Sequence, residues 1–186
     1  MRKIILFMLV SLDGFFEGAN QDISWHNVDA EFNEFAIQQL IEIDTLLFGR
    51  KTYELMASYW LTEAAKKDDP VVAGRMNSLP KVVVSKTLKT VGWENSRLVK
   101  GNIQEEIDRL KKQPGKDIAI FGSSDLAVTL TQMCLLDEYR IMVNPVVLGK
   151  GKTLFKSLKQ NLKLKLLRTK IFRSGNVLLY YQPETK

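Results

Sequence analysis

Three segments of the sequence have the residue types of anion-binding sites, because each places small or basic residues where a predicted strand passes into a polar turn or helix. The first follows the apolar stretch 45–48 and consists of Gly49, Arg50, Lys51 and Thr52. Free N–H groups and the positive end of a helix dipole favour a phosphate at such a junction. Basic and hydroxyl side chains would add charge-assisted hydrogen bonds. The alternative is an ordinary junction with exposed basic residues.

Two further junctions have a similar composition. The second consists of Ser85, Lys86 and Thr87, and the third of Gly122, Ser123, Ser124, Asp125 and Leu126. Each has an ordinary alternative, a polar turn for the second and a serine N-cap for the third. Because the carboxyl ends of parallel strands line one crevice, three such junctions predict a ligand with several phosphates, such as a dinucleotide carrying a 2′-phosphate. The chain contains neither a GxGxxG fingerprint nor a GxxxxGK[ST] loop, so the standard forms of those sites are disfavoured.

The elements that would position these junctions alternate between strand-like and helix-like patterns, which predicts an α/β sheet with helices on its faces. Strands are predicted at 4–11, 45–48, 81–85, 117–121, 138–144, 162–172 and 176–182. Helices are predicted after the caps Asp29 and Asn102, from within 50–52, and from 122–125. Residues 61–80 are polar and contain two prolines, so we expect an irregular segment there. The last two strands predict an antiparallel hairpin, which makes the sheet mixed.

Length and composition restrict the classes of protein that the chain can form. Its 186 residues, 45% of them hydrophobic, predict one domain over 1–186 without repeats. A single histidine, His26, and a single cysteine, Cys134, argue against a zinc site, so no metal is expected. One cysteine also favours a reducing, cytoplasmic location, and Cys134 is expected in the core. No apolar run reaches the ~18–20 residues of a membrane helix, so no membrane partner is expected.

Positive charge is concentrated near the carboxyl end. Residues 147–186 contain ten lysines and arginines but only one acid, Glu184. Such a segment can attract nucleic acid or another anion. The alternation of leucine and lysine over 162–166 favours instead a half-buried strand with a solvated face. No RNP-like motif or glycine-rich KH loop is present, so a nucleic-acid partner is not expected.

Five segments resemble one superfamily of reductases. The run from Gly49 to Glu54, after an apolar strand, is similar to the Gly-Arg-Lys-Thr motif of dihydrofolate reductases. Four more segments, 11–15, 85–88, 136–138 and 145–155, are similar to another branch of that superfamily. This branch comprises the reductase domain of riboflavin biosynthesis and its small stand-alone relatives. The resemblance covers about residues 4–182.

The resemblance implies a three-layer dihydrofolate-reductase-like α/β fold, in which helices flank a mixed central sheet that ends in an antiparallel hairpin. It also implies NADPH as the hydride donor. By the family's pattern, phosphates would be contacted by Arg50, Lys51 and Thr52, beside Gly49. The 2′-phosphate would lie near Ser85, Lys86 and Thr87. The pyrophosphate would be bordered by Gly122, Ser123, Ser124, Asp125 and Leu126. The branch is usually dimeric, so the resemblance implies a homodimer to which 145–182 contributes.

Three residues are candidates for binding a small-molecule substrate. Asp13 precedes the loop that would lie over the nicotinamide, although an Asp-Gly pair also suits a turn. Trp25 matches the tryptophan of a substrate motif in the riboflavin reductases and could stack on a ring or belong to the core. Glu31 falls near the acid on the first helix of dihydrofolate reductases, but it also suits the helix dipole. The proton could come from Asp13, Glu31, His26 or water, and no catalytic residue is assigned.

One position departs from the family's pattern. Phe121 stands where the riboflavin reductases carry a glutamate that contacts the substrate.

Together, the three junctions and the resemblance predict an NADPH-dependent reductase that transfers hydride to a small heterocyclic substrate. It would resemble 5-amino-6-(5-phosphoribosylamino)uracil reductase or dihydrofolate reductase. The alternative is a non-catalytic, nucleotide-binding dimer with the same fold.

Overall fold

The computed structural model of the protein describes residues 1–184, which leaves Lys186, one of the basic residues counted above, outside the described residues. Strands and α-helices alternate along the described chain. The strands are β1 (Ile4–Ser11), β2 (Phe15–Glu17), β3 (Ile43–Gly49), β4 (Lys81–Val84), β5 (Ser96–Val99), β6 (Asp117–Phe121), β7 (Glu138–Asn144), β8 (Lys152–Thr153), β9 (Leu164–Ile171) and β10 (Val177–Pro183). The helices are α1 (Ala30–Glu42), α2 (Arg50–Trp60), α3 (Glu63–Asp68), α4 (Pro70–Ser78), α5 (Ile103–Lys112) and α6 (Ser124–Gln132).

Eight strands form the central sheet in the order β5-β4-β3-β6-β1-β7-β10-β9. The first six are parallel to their neighbours. β10 runs antiparallel to both β7 and β9, which confirms the mixed sheet and its carboxyl-terminal hairpin. β2 and β8 form a separate antiparallel pair. β1 lies inside the sheet because it is apolar throughout, and seven of its eight residues are buried.

The sheet separates two layers of helices, because successive side chains of a strand point to opposite faces. Leu47 packs in a cluster that includes residues of α5 and α6. Its neighbours Leu46 and Phe48 pack in another cluster with residues of α2 and α4. On the face that carries α1, Phe7 packs against Phe35. The structure therefore has the three layers that the sequence predicts.

The prediction of an irregular segment over 61–80 is wrong, since this segment forms α3 and α4. Thr62 caps α3 by accepting a hydrogen bond from the N–H of Ala65. Pro70 occupies the first turn of α4, where its missing N–H costs nothing. Val72 and Met76 are buried against the sheet. Both helices are short, so tertiary packing rather than periodicity determines them.

Two expectations about burial are also wrong. Cys134 is exposed, because α6 ends at Gln132 and Cys134 adopts φ 56° in the turn that follows. β9 is not half-buried, since it lies at the edge of the sheet and pairs only with β10. The polar four-residue strand β5 at the other edge had no signal in the sequence. None of the helices in residues 1–184 is long and apolar enough to cross a membrane.

Candidate functional site

Two of the predicted junctions are hydrogen-bonded to each other. β3 and β6 are neighbouring parallel strands, so α2 and α6 begin side by side at the same edge of the sheet. The N–H of Gly49 donates to Ser123 Oγ at 3.0 Å. The N–H of Ser123 in turn donates to Thr52 Oγ1 at 2.9 Å. We call these three residues, together with Gly122, which precedes Ser123, the paired junction.

The backbone conformation of the paired junction depends on Gly122. Gly122 has φ 74°, and Ser123 follows in the left-handed region with φ 60°. A Cβ atom on Gly122 would lie 3.3 Å from Cγ2 of Thr52, which is closer than most such contacts. A left-handed serine costs on the order of 1–3 kcal/mol. Here that cost is offset, because both the N–H and the hydroxyl of Ser123 bind the neighbouring junction.

The amino-terminal ends of α2 and α6 keep their capacity to bind an anion. Neither N-cap residue, Gly49 or Ser123, caps its helix with a side-chain hydrogen bond. The first-turn N–H groups therefore remain for a ligand, together with the positive ends of both dipoles. Arg50 contributes a guanidinium group 3.8 Å from the carboxylate of Glu54, and Lys51 is exposed. Donors of this chemistry fit a phosphate group.

The remaining junction, that of Ser85, Lys86 and Thr87, lies on the same sheet edge, because β4 is the parallel neighbour of β3. Ser85 is buried, and its hydroxyl accepts hydrogen bonds from the N–H groups of Thr87 and Leu88. This arrangement is a polar turn, which was the alternative to an anion-binding junction at Ser85, Lys86 and Thr87. Lys86 and Thr87 are exposed beside it. The structure thus brings all three junctions to one edge of the sheet.

A cavity of about 430 Å³ opens next to the paired junction, on the side of the sheet that carries α1, α2 and α4. Its walls are mostly apolar and aromatic. They are formed by Phe7, Met8, Leu9, Phe16, Glu17, Ile23, His26, Val28, Phe32, Asn33, Ala36, Gln39, Leu40, Thr52, Leu55, Met56, Tyr59, Trp60, Asp69, Val72, Met76, Phe121, Gly122 and Ser123. Thr52, Gly122 and Ser123 belong to both the paired junction and the cavity, so an anion-binding end leads directly into an apolar chamber.

Phe121, the departure from the family's pattern, forms part of the cavity wall. Its ring meets that of Phe7 edge to face, with centroids 6.0 Å apart. The sequence did not predict that α2 and α4 form part of the cavity wall. Leu55 and Tyr59, four residues apart on α2, follow a helical periodicity that could have indicated this face.

A second hollow, of about 610 Å³, lies at the opposite edge of the sheet. Two of the basic side chains in its wall are held in ion pairs. Arg2 is paired with Asp44, and Lys111 with Asp137. Although this hollow is larger, two of its cations are already paired and no aromatic side chain lines it among the described residues. The cavity beside the paired junction is therefore the better candidate site.

The predicted substrate residues Asp13, Trp25 and Glu31 do not line the cavity. The Asp13 carboxylate accepts hydrogen bonds from the Ser11 hydroxyl and from the N–H groups of Leu148 and Gly149. The bond from Ser11 and those backbone bonds lower the pKa of Asp13. Asp13 thereby holds the end of β1 to the loop that follows β7.

The other two candidates also have structural partners. Trp25 Nε1 donates to the carbonyl oxygen of Asp22 at 3.0 Å. The carboxylate of Glu31 accepts from the N–H of Arg173 at 2.9 Å and so links α1 to the carboxyl-terminal hairpin. Their role in binding substrate stays a prediction, as does that of Asp13.

His26 lies in the cavity wall and its ring meets Trp25 edge-on, with centroids 4.5 Å apart. Nε2 is buried without a hydrogen-bond partner among the described residues. Burial lowers the pKa of His26 to about 4, an effect that nearby Asp22 opposes. The imidazole is therefore neutral at pH 7. Within residues 1–184, no cluster of three or more His, Cys, Asp or Glu side chains is placed to hold a metal ion.

The fold defines a dihydrofolate-reductase-like α/β protein, with three strand-to-helix or strand-to-turn junctions at one edge of its sheet. The sequence model of the RibD C-terminal domain matches residues 2–178, and the chain belongs to that family. The uncharacterized protein YyaP of Bacillus subtilis strain 168 is 39% identical, over 97% of this chain and 94% of its own length. YwjB of the same organism, also uncharacterized, is 30% identical over 97% of each chain.

Solved structures share the fold. A Shewanella sp. PV-4 protein named for riboflavin biosynthesis has a TM-score of 0.77 and 24% identity, over 98% of this chain and 99% of its own. The Thermotoga maritima diaminohydroxyphosphoribosylaminopyrimidine deaminase/5-amino-6-(5-phosphoribosylamino)uracil reductase has a TM-score of 0.68 and 13% identity. The match covers 98% of this chain but 56% of that longer protein.

Replacing Gly122 by alanine should weaken the paired junction. The added methyl group would meet Thr52, and alanine disfavours a positive φ, so we expect the free energy of unfolding to fall by about 1–2 kcal/mol. Gly74→Ala is the matched control, because Gly74 lies inside α4 with open space around its Cβ position. The control should be neutral or stabilising. Urea denaturation measures both, and equal midpoints for the two variants would contradict the role of Gly122.

Stability should depend on pH through His26. Its pKa is lower in the folded protein than the ordinary value of 6.5, so the unfolded chain binds the proton first. The free energy of unfolding should therefore fall as the pH decreases from about 6.5 towards 4. His26→Gln should lack this component, while the carboxylates contribute equally to both proteins. Since His26 is the only histidine, its Hε1 NMR signal gives the pKa directly, and a midpoint near 6.5 would contradict the burial.

Proposed function

We propose that the protein is an NADPH-dependent reductase of a small ring compound. The observation that carries this proposal is the paired junction, which places two helix amino-terminal ends at the mouth of an aromatic cavity. Membership of the RibD C-terminal domain family supports a reductase. The Thermotoga maritima protein with the same fold is named as a reductase in one of its two activities.

The residues present fit a phosphorylated dinucleotide. The first-turn N–H groups of α2 and α6 would hold its pyrophosphate, with added charge from Arg50 and Lys51. Gly122 lets the two helix ends approach each other, since a Cβ atom there would meet the side chain of Thr52. Lys86 and Thr87 lie exposed at the next strand end, where they would meet a 2′-phosphate. When bound, NADPH supplies a hydride for reduction.

The chain itself contributes alignment and the exclusion of water. Aromatic side chains such as Phe7, Phe32 and Phe121 give the cavity flat, apolar surfaces on which a ring can lie. A ring held beside Gly122 and Ser123 would be next to the cofactor site, which reduces the entropic cost of bringing the two reactants together. His26 offers a neutral ring nitrogen at the wall, so it can form a hydrogen bond without adding charge.

NADPH should bind more tightly than NADH, because only NADPH carries the 2′-phosphate. We expect Lys86→Ala to weaken NADPH binding about tenfold and to leave NADH unchanged, as expected for loss of one charge-assisted contact. Lys89→Ala is the control, because Lys89 is an exposed lysine beyond the junction. Quenching of tryptophan fluorescence measures the affinities. Failure of both cofactors to bind would contradict the proposal.

A non-catalytic, nucleotide-binding protein is the second candidate, and one observation favours it. Phe121 replaces a polar group that the family's pattern places in the substrate site, so the cavity could have lost its reaction. A spectrophotometric assay of NADPH oxidation with a panel of ring compounds separates the two candidates. Tight NADPH binding without oxidation by any member would favour the non-catalytic protein.

We also propose that the protein forms a homodimer through β9. An edge strand offers unpaired backbone groups to another chain. β9 in addition exposes three apolar side chains, with Leu166 at 48%, Leu167 at 45% and Ile171 at 74%. The resemblance to a dimeric branch supports the same region.

A negative charge introduced on β9 should separate the two protomers. We expect the wild-type protein to be a dimer at micromolar concentration and Ile171→Asp to be largely monomeric, because the substitution would bury a carboxylate in the contact. Val71→Asp places the same charge on the exposed face of α4 and should leave the dimer intact. Sedimentation velocity measures the mass, and a monomeric wild-type protein would contradict the proposed contact.

A further inference from the structure

The part of the cavity wall that the structure describes has no cationic side chain. Among the described residues that line it there is no lysine or arginine, whereas Glu17 and Asp69 each contribute a carboxylate. Lys152 reaches this region from β8, but its ammonium group is paired with the Glu17 carboxylate. The positive charge of Lys152 is thus already compensated by Glu17.

A phosphate group would be unfavourable in such a chamber. Transfer of an anion into apolar surroundings costs several kcal/mol unless a cation or several N–H groups bind it. The N–H groups that could do so belong to α2 and α6, and in the proposed function they bind the cofactor. The remaining polar groups of the wall, such as Asn33 and Gln39, are uncharged. The cavity therefore disfavours an anion and tolerates a neutral or cationic ligand.

The shape and surface of the cavity favour a flat ring. A volume of about 430 Å³ lies towards the small end of the ~300–1,000 Å³ typical of ligand sites. The rings of Phe7 and Phe32 lie 6.5 Å apart at its sheet side, and Tyr59 and Trp60 close it from α2. Aromatic walls bind planar rings through stacking and edge contacts.

We propose that the cavity binds a planar ring compound that carries no phosphate or other anionic group, and that Glu17 disfavours phosphorylated analogues by keeping Lys152 in an ion pair. This inference rests on the proposed function, because it assigns the helix amino-terminal ends to the cofactor. It distinguishes this chain from the Thermotoga maritima protein, whose name specifies a phosphoribosyl substrate. Phe121 adds an apolar surface at the end of β6.

Pairs of compounds that differ only by a phosphate test this inference. The probes are uridine and uridine 5′-phosphate, 6-hydroxymethylpterin and its phosphate ester, and riboflavin and flavin mononucleotide. Each is titrated into the protein in saturating NADPH while the Hε1 signal of His26 is followed by NMR. We expect at least one phosphate-free member to shift this signal, and to bind ten times or more as tightly as its phosphorylated partner. Equal or tighter binding of the phosphorylated members, or no shift with any phosphate-free member at millimolar concentration, would overturn the inference.

Two variants test the role assigned to Glu17. Glu17→Gln removes the carboxylate and frees Lys152, so we expect the preference for the phosphate-free member to fall to about threefold or less. Glu63→Gln removes an exposed carboxylate that is likewise paired with a lysine, on α3 outside the cavity, and should keep the wild-type preference. An unchanged preference in Glu17→Gln would overturn the role of this residue. Thermal unfolding confirms that both variants fold.

A separate NADPH titration distinguishes this inference from the proposed function. If NADPH fails to bind, the cofactor assignment fails, and the paired probes are then compared in the protein alone. A preference for phosphate-free rings there would support the cavity's selectivity even without a cofactor. If NADPH binds and the phosphorylated probes bind more tightly, the selectivity fails while the cofactor assignment stands.

Discussion

The hydrogen bonds that join Gly49, Thr52 and Ser123 determine how the rest of the site is built. They fix the starts of α2 and α6 relative to each other, although the bonded residues are more than 70 positions apart in the chain. Their geometry needs a left-handed backbone at Gly122 and Ser123, a conformation that sequence alone would not favour for serine. Because Thr52, Gly122 and Ser123 also line the cavity, the same hydrogen bonds position part of its wall.

The site combines two environments that seldom adjoin. Outside the mouth, helix dipoles and exposed basic residues give a positive potential suited to phosphate. Inside, the walls are mostly apolar and aromatic and include no lysine or arginine among the described residues. A ligand with a charged end and a flat neutral end would be oriented by this contrast alone, since each end is unfavourable in the other environment.

The sequence predicts the parts of the structure that depend on local pattern. The apolar runs of β1, β3 and β6 and the cap at Asp29 could be identified because strand burial and N-capping leave direct signals. α3 and α4 could not be predicted in this way, because their few buried residues stabilise a helix only when they pack against the rest of the protein. Asp13, Trp25 and Glu31 have residue types suited to binding, but the structure engages each with nearby backbone groups. Only three-dimensional placement identifies which polar residues face the cavity.

The outer wall of the cavity comes from α4, a short helix that contributes no residue to the paired junction or to the strands of the sheet. Val72 and Met76 shape the chamber from there, so substitutions at these two positions would change its contour without altering the paired junction. Evolution or design could therefore reshape the cavity through this one peripheral helix. A chain built in this way can vary what its cavity accepts while the hydrogen bonds between its two helix starts remain constant.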